Sequence, residues 1–96
     1  MKPSLALDQH RLEARALPGQ FKAENLRVFG SVLSGEDQEG SDLDLLVDPL
    51  PGATLFDLGG LQVELESLLG VRVDLLTPGD LPQSFRHQVL SSAIRV

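Results

Sequence analysis

Two aspartates separated by one residue, Asp42 and Asp44, are the side chains with the clearest chemical use in this sequence. They alternate with Leu43 and Leu45 and lead into an apolar run that continues to Val47. Such alternation predicts a β-strand in which both carboxylates leave the same face. Neighbouring carboxylates repel each other unless a proton or a cation intervenes. Because oxygen ligands suit Mg²⁺, which also binds substrate phosphates, the pair indicates metal-assisted phosphoryl chemistry.

The dipeptide Gly30-Ser31 follows a short apolar run at residues 26–29 and is the second feature with chemical potential. Glycine has no Cβ, so the backbone at Gly30 can approach a phosphate closely. Ser31 offers a hydroxyl and an N–H group where a new helical turn can begin, and such turns favour anions. The dipeptide therefore predicts an anion-binding corner.

The charges of the chain are unevenly distributed. The net charge of −6 opposes general binding to nucleic-acid backbones, so no direct nucleic-acid binding is expected. All eight basic residues lie outside residues 28–71, a stretch that contains nine of the fourteen acidic residues. A phosphate bound within this stretch therefore requires a divalent cation.

Length and composition predict one domain over residues 1–96, with enough apolar residues, 42%, for a packed core. The absence of cysteine excludes a disulfide framework, a thiolate zinc site and a cysteine nucleophile. The N-terminus lacks the apolar core of a signal peptide, and no 18 apolar residues run together. We therefore expect a soluble cytoplasmic protein that does not enter a membrane.

The elements that must position the candidate residues follow from the hydropathy pattern. It predicts helices at residues 5–17, 55–69 and 82–94, and strands at residues 26–29, 43–47 and 71–77. This order favours an α/β (α+β) fold with a small mixed sheet and helices mainly on one face. Chemistry is expected in the loops at the strand ends.

Taken together, these residues resemble the minimal nucleotidyltransferases of the DNA polymerase β superfamily. Such domains carry Gly-Ser, ten residues, and then Asp-x-Asp. Here Gly30-Ser31 is followed by the ten residues 32–41 and then by Asp42-Leu43-Asp44. The resemblance extends from residue 26 to residue 96 and implies a polymerase-β-like nucleotidyltransferase core with ATP as substrate.

The resemblance also implies roles for individual residues. Gly30 and Ser31 would bind the nucleotide, while Asp42 and Asp44 would hold two Mg²⁺ ions and take part in catalysis. Asp74, in the predicted strand 71–77, would be the third catalytic and metal-binding carboxylate and the base for the attacking hydroxyl. The alternative for Asp74 is a surface ion pair with Arg72, since both leave the same face of that strand.

The sequence departs from the family pattern directly after Gly30-Ser31. Related domains often continue with Arg-Ala-Arg-Gly, whereas this chain has Val32-Leu33-Ser34-Gly35. A charge-assisted hydrogen bond to phosphate contributes about 1.5 to 3 kcal/mol, so the loss of two arginines predicts weaker binding of ATP.

The resemblance also implies a partner. Minimal domains of this family act with a small helical HEPN ribonuclease as toxin and antitoxin, and the antitoxin transfers AMP from ATP to a tyrosine of the toxin. Two alternatives stay open: a non-catalytic subunit that neutralises its partner by contact, and nucleotidyl transfer to a small molecule at a homodimer interface. The sequence leaves the acceptor, the nucleotide preference and the oligomeric state open.

Other polar residues are expected to have no chemical role. The acidic residues Glu36, Asp37 and Glu39 are interpreted as a solvated loop. Asp48, next to Pro49, is interpreted as the turn that ends a strand. The two histidines lie on predicted helices without a second ligand at metal-binding spacing, so we expect surface or partly buried positions rather than metal ligation.

Overall fold

Helices and strands alternate along the chain, and the computed structural model describes all of residues 1–96. The elements are α1 (Pro3–Gln9), α2 (Arg11–Ala16), β1 (Ala23–Phe29), α3 (Ser31–Ser34), β2 (Leu43–Pro49), α4 (Leu55–Leu69), β3 (Val73–Leu76), α5 (Gln83–Ser92) and β4 (Ile94–Arg95). Two short 3₁₀ turns, Pro18–Phe21 and Pro78–Asp80, precede β1 and α5. No helix combines the length and apolar character that spanning a membrane requires.

The four strands form one mixed sheet in the order β3-β2-β1-β4. β1 is antiparallel to both of its neighbours, whereas β3 runs parallel to β2. The parallel pair is connected through α4, as a parallel connection requires a crossover. The predicted small mixed sheet is therefore confirmed, with β4 as an additional strand.

The core lies between one face of this sheet and the helices α1, α2 and α4. Alternate residues of the central strands point into it, and the leucine stripe of α4 covers them. Its members are Ala6, Leu7, Ala14, Ala23, Leu26, Val28, Leu43, Leu45, Val47, Leu61, Leu65, Leu69, Val73 and Val96. The predicted placement of helices mainly on one face is confirmed.

Side chains of α4 cover the outer edge of β3. The Glu66 Oε2 atom accepts a hydrogen bond from the Val73 N–H at 3.0 Å, and Gln62 Oε1 accepts one from the Leu75 N–H at 3.4 Å. Glu66 and Gln62 are one helical turn apart, which matches the two-residue spacing of the outward N–H groups. These contacts occupy backbone donors that would otherwise be open to another strand.

Two sequence predictions about helices are wrong in part. The predicted helix at residues 5–17 divides at His10, whose φ of −130° and ψ of 27° interrupt the helix and separate α1 from α2. The predicted helix at residues 82–94 ends at Ser92 because Ala93 is extended and Ile94 pairs with Val28 of β1. Tertiary strand pairing here overrides the local helical pattern.

The two adjacent glycines of α4 offer a test of helix stability. An added Cβ meets nothing within 4 Å at Gly59, but at Gly60 it would lie 2.8 Å from Phe21 Cε1. We expect Gly59→Ala to raise the free energy of unfolding by about 0.5 to 1 kcal/mol, because alanine is the better helix former. Gly60→Ala should lose this gain, since the partly buried Phe21 ring must move. Urea unfolding of both variants measures the difference, and equal stabilisation would contradict the contact at Phe21.

Candidate active site

Asp42 and Asp44 leave the sheet on the face opposite the core. Leu43 and Leu45 are fully buried on the core side of β2, so the alternation of the strand directs the neighbouring aspartates outwards. Asp42 lies directly before the first residue of β2, and its side chain is 52% exposed. Asp44 is half-buried.

Asp74 lies beside Asp44 on the neighbouring parallel strand. The register of β2 and β3 pairs these two residues directly, while Phe29 of β1 pairs with Asp44 on its other side. Asp74 itself is exposed. The structure thus brings together the three aspartates that the sequence singled out, on one open face of the sheet.

The environment of Asp44 disfavours its charged form. Burial is the main cause that raises the pKa of Asp44, followed by the charges of Asp74 and Asp42. A half-buried carboxylate with two carboxylate neighbours binds a proton or a cation more readily than an isolated one does. The arrangement is therefore electrostatically suited to a cation.

Gly30 ends β1 at a position where a side chain would collide with Asp44. Its φ of 75° and ψ of −148° lie in a region that is almost restricted to glycine. An added Cβ would lie 2.2 Å from Asp44 Oδ2 and 3.0 Å from Asp44 Cγ. The sequence predicted that glycine here lets a phosphate approach. The structure adds that its missing Cβ is the space in which the Asp44 carboxylate lies.

Ser31 begins the predicted helical turn, α3, directly after Gly30. The Ser34 N–H donates to the Gly30 carbonyl at 3.1 Å, and the turn ends at Gly35, whose φ is 79°. Val32, at one of the positions where related domains carry arginine, packs against the core. Ser34, at the other, is exposed, and its hydroxyl donates to the Ser31 carbonyl at 3.2 Å. The turn therefore carries no basic side chain to the site.

The loop between α3 and β2 is held by Asp37, which the sequence interpretation wrongly assigned to solvent. Asp37 is only 6% exposed, and its Oδ2 accepts a hydrogen bond from the Ser4 N–H at 2.9 Å in the first turn of α1. This backbone hydrogen bond is the main cause that lowers the pKa of Asp37. The residue preceding α1, Lys2, provides no side-chain cap, and the carboxylate of Asp37 takes that place from 33 residues away.

Asp48 belongs to β2 and to an ion pair, so its interpretation as a strand-ending turn is wrong. Its carboxylate accepts from Arg27 Nη2 at 2.6 Å and from Asn25 Nδ2 at 2.9 Å. The Arg27 side chain is only 13% exposed. Its ion pair with Asp48 holds the guanidinium near the C-terminal end of β2, whereas Asp42 lies at the start of that strand. Arg27 is thereby committed to Asp48.

Arg72 is the basic residue in contact with the aspartates. Its Nε atom lies 3.7 Å from Asp42 Oδ1, and its side chain is 85% exposed. The ion pair that the sequence allowed between Arg72 and Asp74 is instead made with Asp42. The carbonyl of Arg72 accepts from the Leu43 N–H at 2.8 Å, which fixes the backbone of Arg72 beside the start of β2.

The donor set on this face consists of carboxylate oxygens, the ligands that Mg²⁺ prefers. No three histidine, cysteine, aspartate or glutamate side chains converge closely enough to hold an ion by themselves. Mg²⁺ in nucleotide enzymes is usually held by one or two carboxylates together with substrate phosphates and water. Asp42 and Asp44 on one face, with Asp74 beside them, fit such a site.

The contact between Gly30 and Asp44 predicts a measurable coupling between these positions. Gly30→Ala should lower the free energy of unfolding by roughly 1 to 3 kcal/mol, because it adds backbone strain and displaces the carboxylate. In an Asp44→Ala background the same change should cost less, since the nearest clashing atoms are gone. Gly35→Ala, also at positive φ but in open space, is the control and should show no coupling to Asp44. Independent effects of Gly30→Ala and Asp44→Ala in chemical denaturation would contradict this explanation.

The raised pKa of Asp44 predicts a specific dependence of stability on pH. Between its ordinary value of 3.8 and the higher folded value, the folded protein binds more protons at Asp44 than the unfolded chain does. The contribution of Asp44 to stability therefore falls as the pH rises through this window. Asp44→Asn should be more stable than the wild type at pH 7, by up to about 1 kcal/mol after solvent screening. The difference should shrink as the pH approaches 3.8.

Asp57 provides the matched control of opposite sign. Its carboxylate accepts from the Thr54 N–H at 2.8 Å in the capping box of α4, and this bond is the main cause that lowers the pKa of Asp57. Its stabilising contribution is present above the ordinary pKa of 3.8 and is lost as the pH falls through the lower folded pKa. Asp57→Asn should therefore destabilise the protein at pH 7. The same sign for both variants would refute the electrostatic account of Asp44.

Comparisons of the sequence with known proteins show the family to which the chain belongs. The sequence profile of the nucleotidyltransferase domain matches residues 7–96. The protein adenylyltransferase MntA of Thermococcus cleftensis is 37% identical over 90 residues, which cover 94% of this chain and 88% of the relative. A Methanocaldococcus jannaschii protein, provisionally named a protein adenylyltransferase, is 39% identical over 69 residues, or 72% of this chain and 74% of its own.

Solved structures agree with the sequence relatives. A structure described as a provisional minimal nucleotidyltransferase superposes with a TM-score of 0.86 at 44% identity, covering 97% of this chain and 95% of its own. A toxin–antitoxin crystal structure with AMP-PNP shares the fold, with a TM-score of 0.65 at 20% identity over 96% of this chain and 70% of its own. The chain belongs to the nucleotidyltransferase domain family and has the fold of a minimal nucleotidyltransferase.

Proposed function

We propose that this protein is a magnesium-dependent protein adenylyltransferase that acts as an antitoxin. In this proposal it transfers AMP from ATP to a tyrosine of a HEPN ribonuclease toxin. The observation that carries the proposal is the placement of Asp42, Asp44 and Asp74 on one face of the sheet, beside the Gly30-Ser31 corner. Relatives named protein adenylyltransferase, at 37% and 39% identity, support the reaction.

The proposed site residues form two groups, one for the nucleotide and one for the metal ions. Gly30 and Ser31 bind the nucleotide through the backbone and hydroxyl at the start of α3. Asp42, Asp44 and Asp74 would hold two Mg²⁺ ions, which when bound would neutralise phosphate charge and polarise the reacting groups. The raised pKa of Asp44 supports this assignment, because a bound cation relieves the repulsion that the three carboxylates impose on one another.

The proposed reaction exchanges a phosphoanhydride bond of ATP for a phosphodiester bond between AMP and tyrosine. The tyrosine oxygen forms a bond to the α-phosphorus of ATP, the bond from that phosphorus to the bridging oxygen of the β-phosphate breaks, and pyrophosphate leaves. Asp74 accepts the proton of the tyrosine hydroxyl. Asp74 is exposed and lies on β3, whereas Gly30 follows β1 on the other side of Asp44. An acceptor that approaches across β3 can therefore reach Asp74.

A protein acceptor suits the openness of this face. Asp42 and Asp74 are exposed, so the face on which they lie is open to a large acceptor. In the proposal a second protein supplies the acceptor and covers the site. Solved toxin–antitoxin structures share this fold and support a toxin as that protein.

A second candidate function rests on the turn after Gly30-Ser31. Val32 packs against the core and Ser34 bonds to the turn itself, so α3 provides no arginine for phosphate. A subunit that neutralises its toxin by contact alone needs no such arginine. Nucleotidyl transfer to a small molecule at a homodimer interface is the third candidate.

Asp42→Ala, Asp44→Ala and Asp74→Ala should each reduce transfer of labelled AMP by at least about 100-fold, because each removes a group that the reaction requires. The acceptor in the assay is a purified HEPN ribonuclease, the class of partner that the proposal names. Glu64→Ala, at an exposed acid on α4, is the control and should transfer normally, and a chelator should abolish transfer by the wild type. If all three aspartate variants neutralise the toxin as well as the wild type does, contact alone explains protection and the enzymatic proposal fails.

A further inference from the structure

The proposed site contains many acids and few cations. Three aspartates share one face of the sheet, and the turn that begins at Ser31 carries no basic side chain. Nucleotide phosphates remain negatively charged even when bound to Mg²⁺. A basic side chain near the aspartates would therefore favour nucleotide binding.

Most basic residues are committed elsewhere. Arg27 is held by Asp48, Arg11 by Asp8, Arg15 by the Val96 carbonyl and Arg86 by the Leu81 carbonyl. Arg95 lies on β4, which is separated from β2 by β1. Lys2 and Lys22 lie near Asp37 and Asp57, outside the group of three aspartates.

Arg72 differs from all of these in its position beside the aspartates. The hydrogen bond from the Leu43 N–H to the Arg72 carbonyl holds its backbone at the start of β2. Its Nε atom approaches Asp42 at 3.7 Å, beyond the length of a good hydrogen bond, and the side chain is 85% exposed. No hydrogen bond to a protein acceptor engages its guanidinium, so its donors are available.

Folding stability does not explain an arginine at this position. An exposed ion pair at this distance contributes little, because solvent screens it and ordering a long side chain costs entropy. Proximity to a charged substrate explains it better. A guanidinium can donate two parallel hydrogen bonds to phosphate oxygens, which the ammonium group of lysine cannot match.

We propose that Arg72 binds the phosphates of the nucleotide and partly replaces the arginines that are absent after Ser31. The inference rests on the proposed function, because it requires that ATP binds beside Asp42. In the structure the Arg72 Nε atom is directed towards Asp42 Oδ1. When phosphate oxygens occupy the space above Asp42 and Asp44, the guanidinium turns towards them.

Calorimetric titration with ATP in the presence of Mg²⁺ tests the proposal without any acceptor. Arg72→Ala should weaken binding about tenfold, and Arg72→Lys should recover part of the affinity. The loss should be smaller with AMP, which lacks the β- and γ-phosphates, and smaller at high salt. Arg95→Ala removes the same charge from an exposed position on the same sheet and should leave the affinity nearly unchanged.

The outcomes separate this inference from the proposed function. If Arg72→Ala binds ATP as tightly as the wild type, Arg72 does not bind the nucleotide, whether or not transfer continues. An equal loss in Arg95→Ala would reduce the effect to net charge and also overturn the inference. A wild-type protein that fails to bind ATP with Mg²⁺ would overturn both the proposed function and the role of Arg72. Circular dichroism of each variant confirms that the fold is retained.

Discussion

The repulsion among three carboxylates on one face of a small sheet is the constraint on which the rest of the site depends. Leu43 and Leu45 must be buried for the chain to fold, and this burial forces Asp42 and Asp44 to the opposite face. The parallel pairing of β3 then adds Asp74 to the same group. The free energy of the apolar core thus holds together charges that would separate in a flexible chain.

The sequence predicted the parts of the fold that follow from local periodicity. The alternation around Asp42 and Asp44 and the leucine stripe of α4 identified the central strand and its covering helix, since each pattern places apolar residues on the face that packs into the core. The strand β4 was not predicted, because its two residues, Ile94 and Arg95, are too few to show a periodic pattern. The break at His10 likewise lacks the Gly or Pro that usually marks the end of a helix.

Residue type and spacing predicted which residues form the candidate site, but not the contacts between them. Gly30, Ser31 and the aspartates lie together as the spacing indicated, but the contact that makes glycine necessary, with Asp44 Oδ2, joins two different strands. Asp37 reaches the first turn of α1 over 33 residues, and a contact over that separation leaves no signal in a single sequence. The position of Arg72 beside Asp42 has the same origin, since it depends on how β3 aligns with β2.

The covered edge of β3 has a consequence for the position of Asp74, at the centre of that strand. Glu66 and Gln62 hold the N–H groups of Val73 and Leu75, the two residues that flank Asp74. The backbone of the strand that carries Asp74 is therefore held in place by α4, which lies on the opposite face of the sheet from the aspartates. Substitutions at these two helical positions would shift Asp74 relative to Asp42 and Asp44, because they would release the backbone on both sides of Asp74. In evolution, α4 and this aspartate are then expected to change together rather than independently.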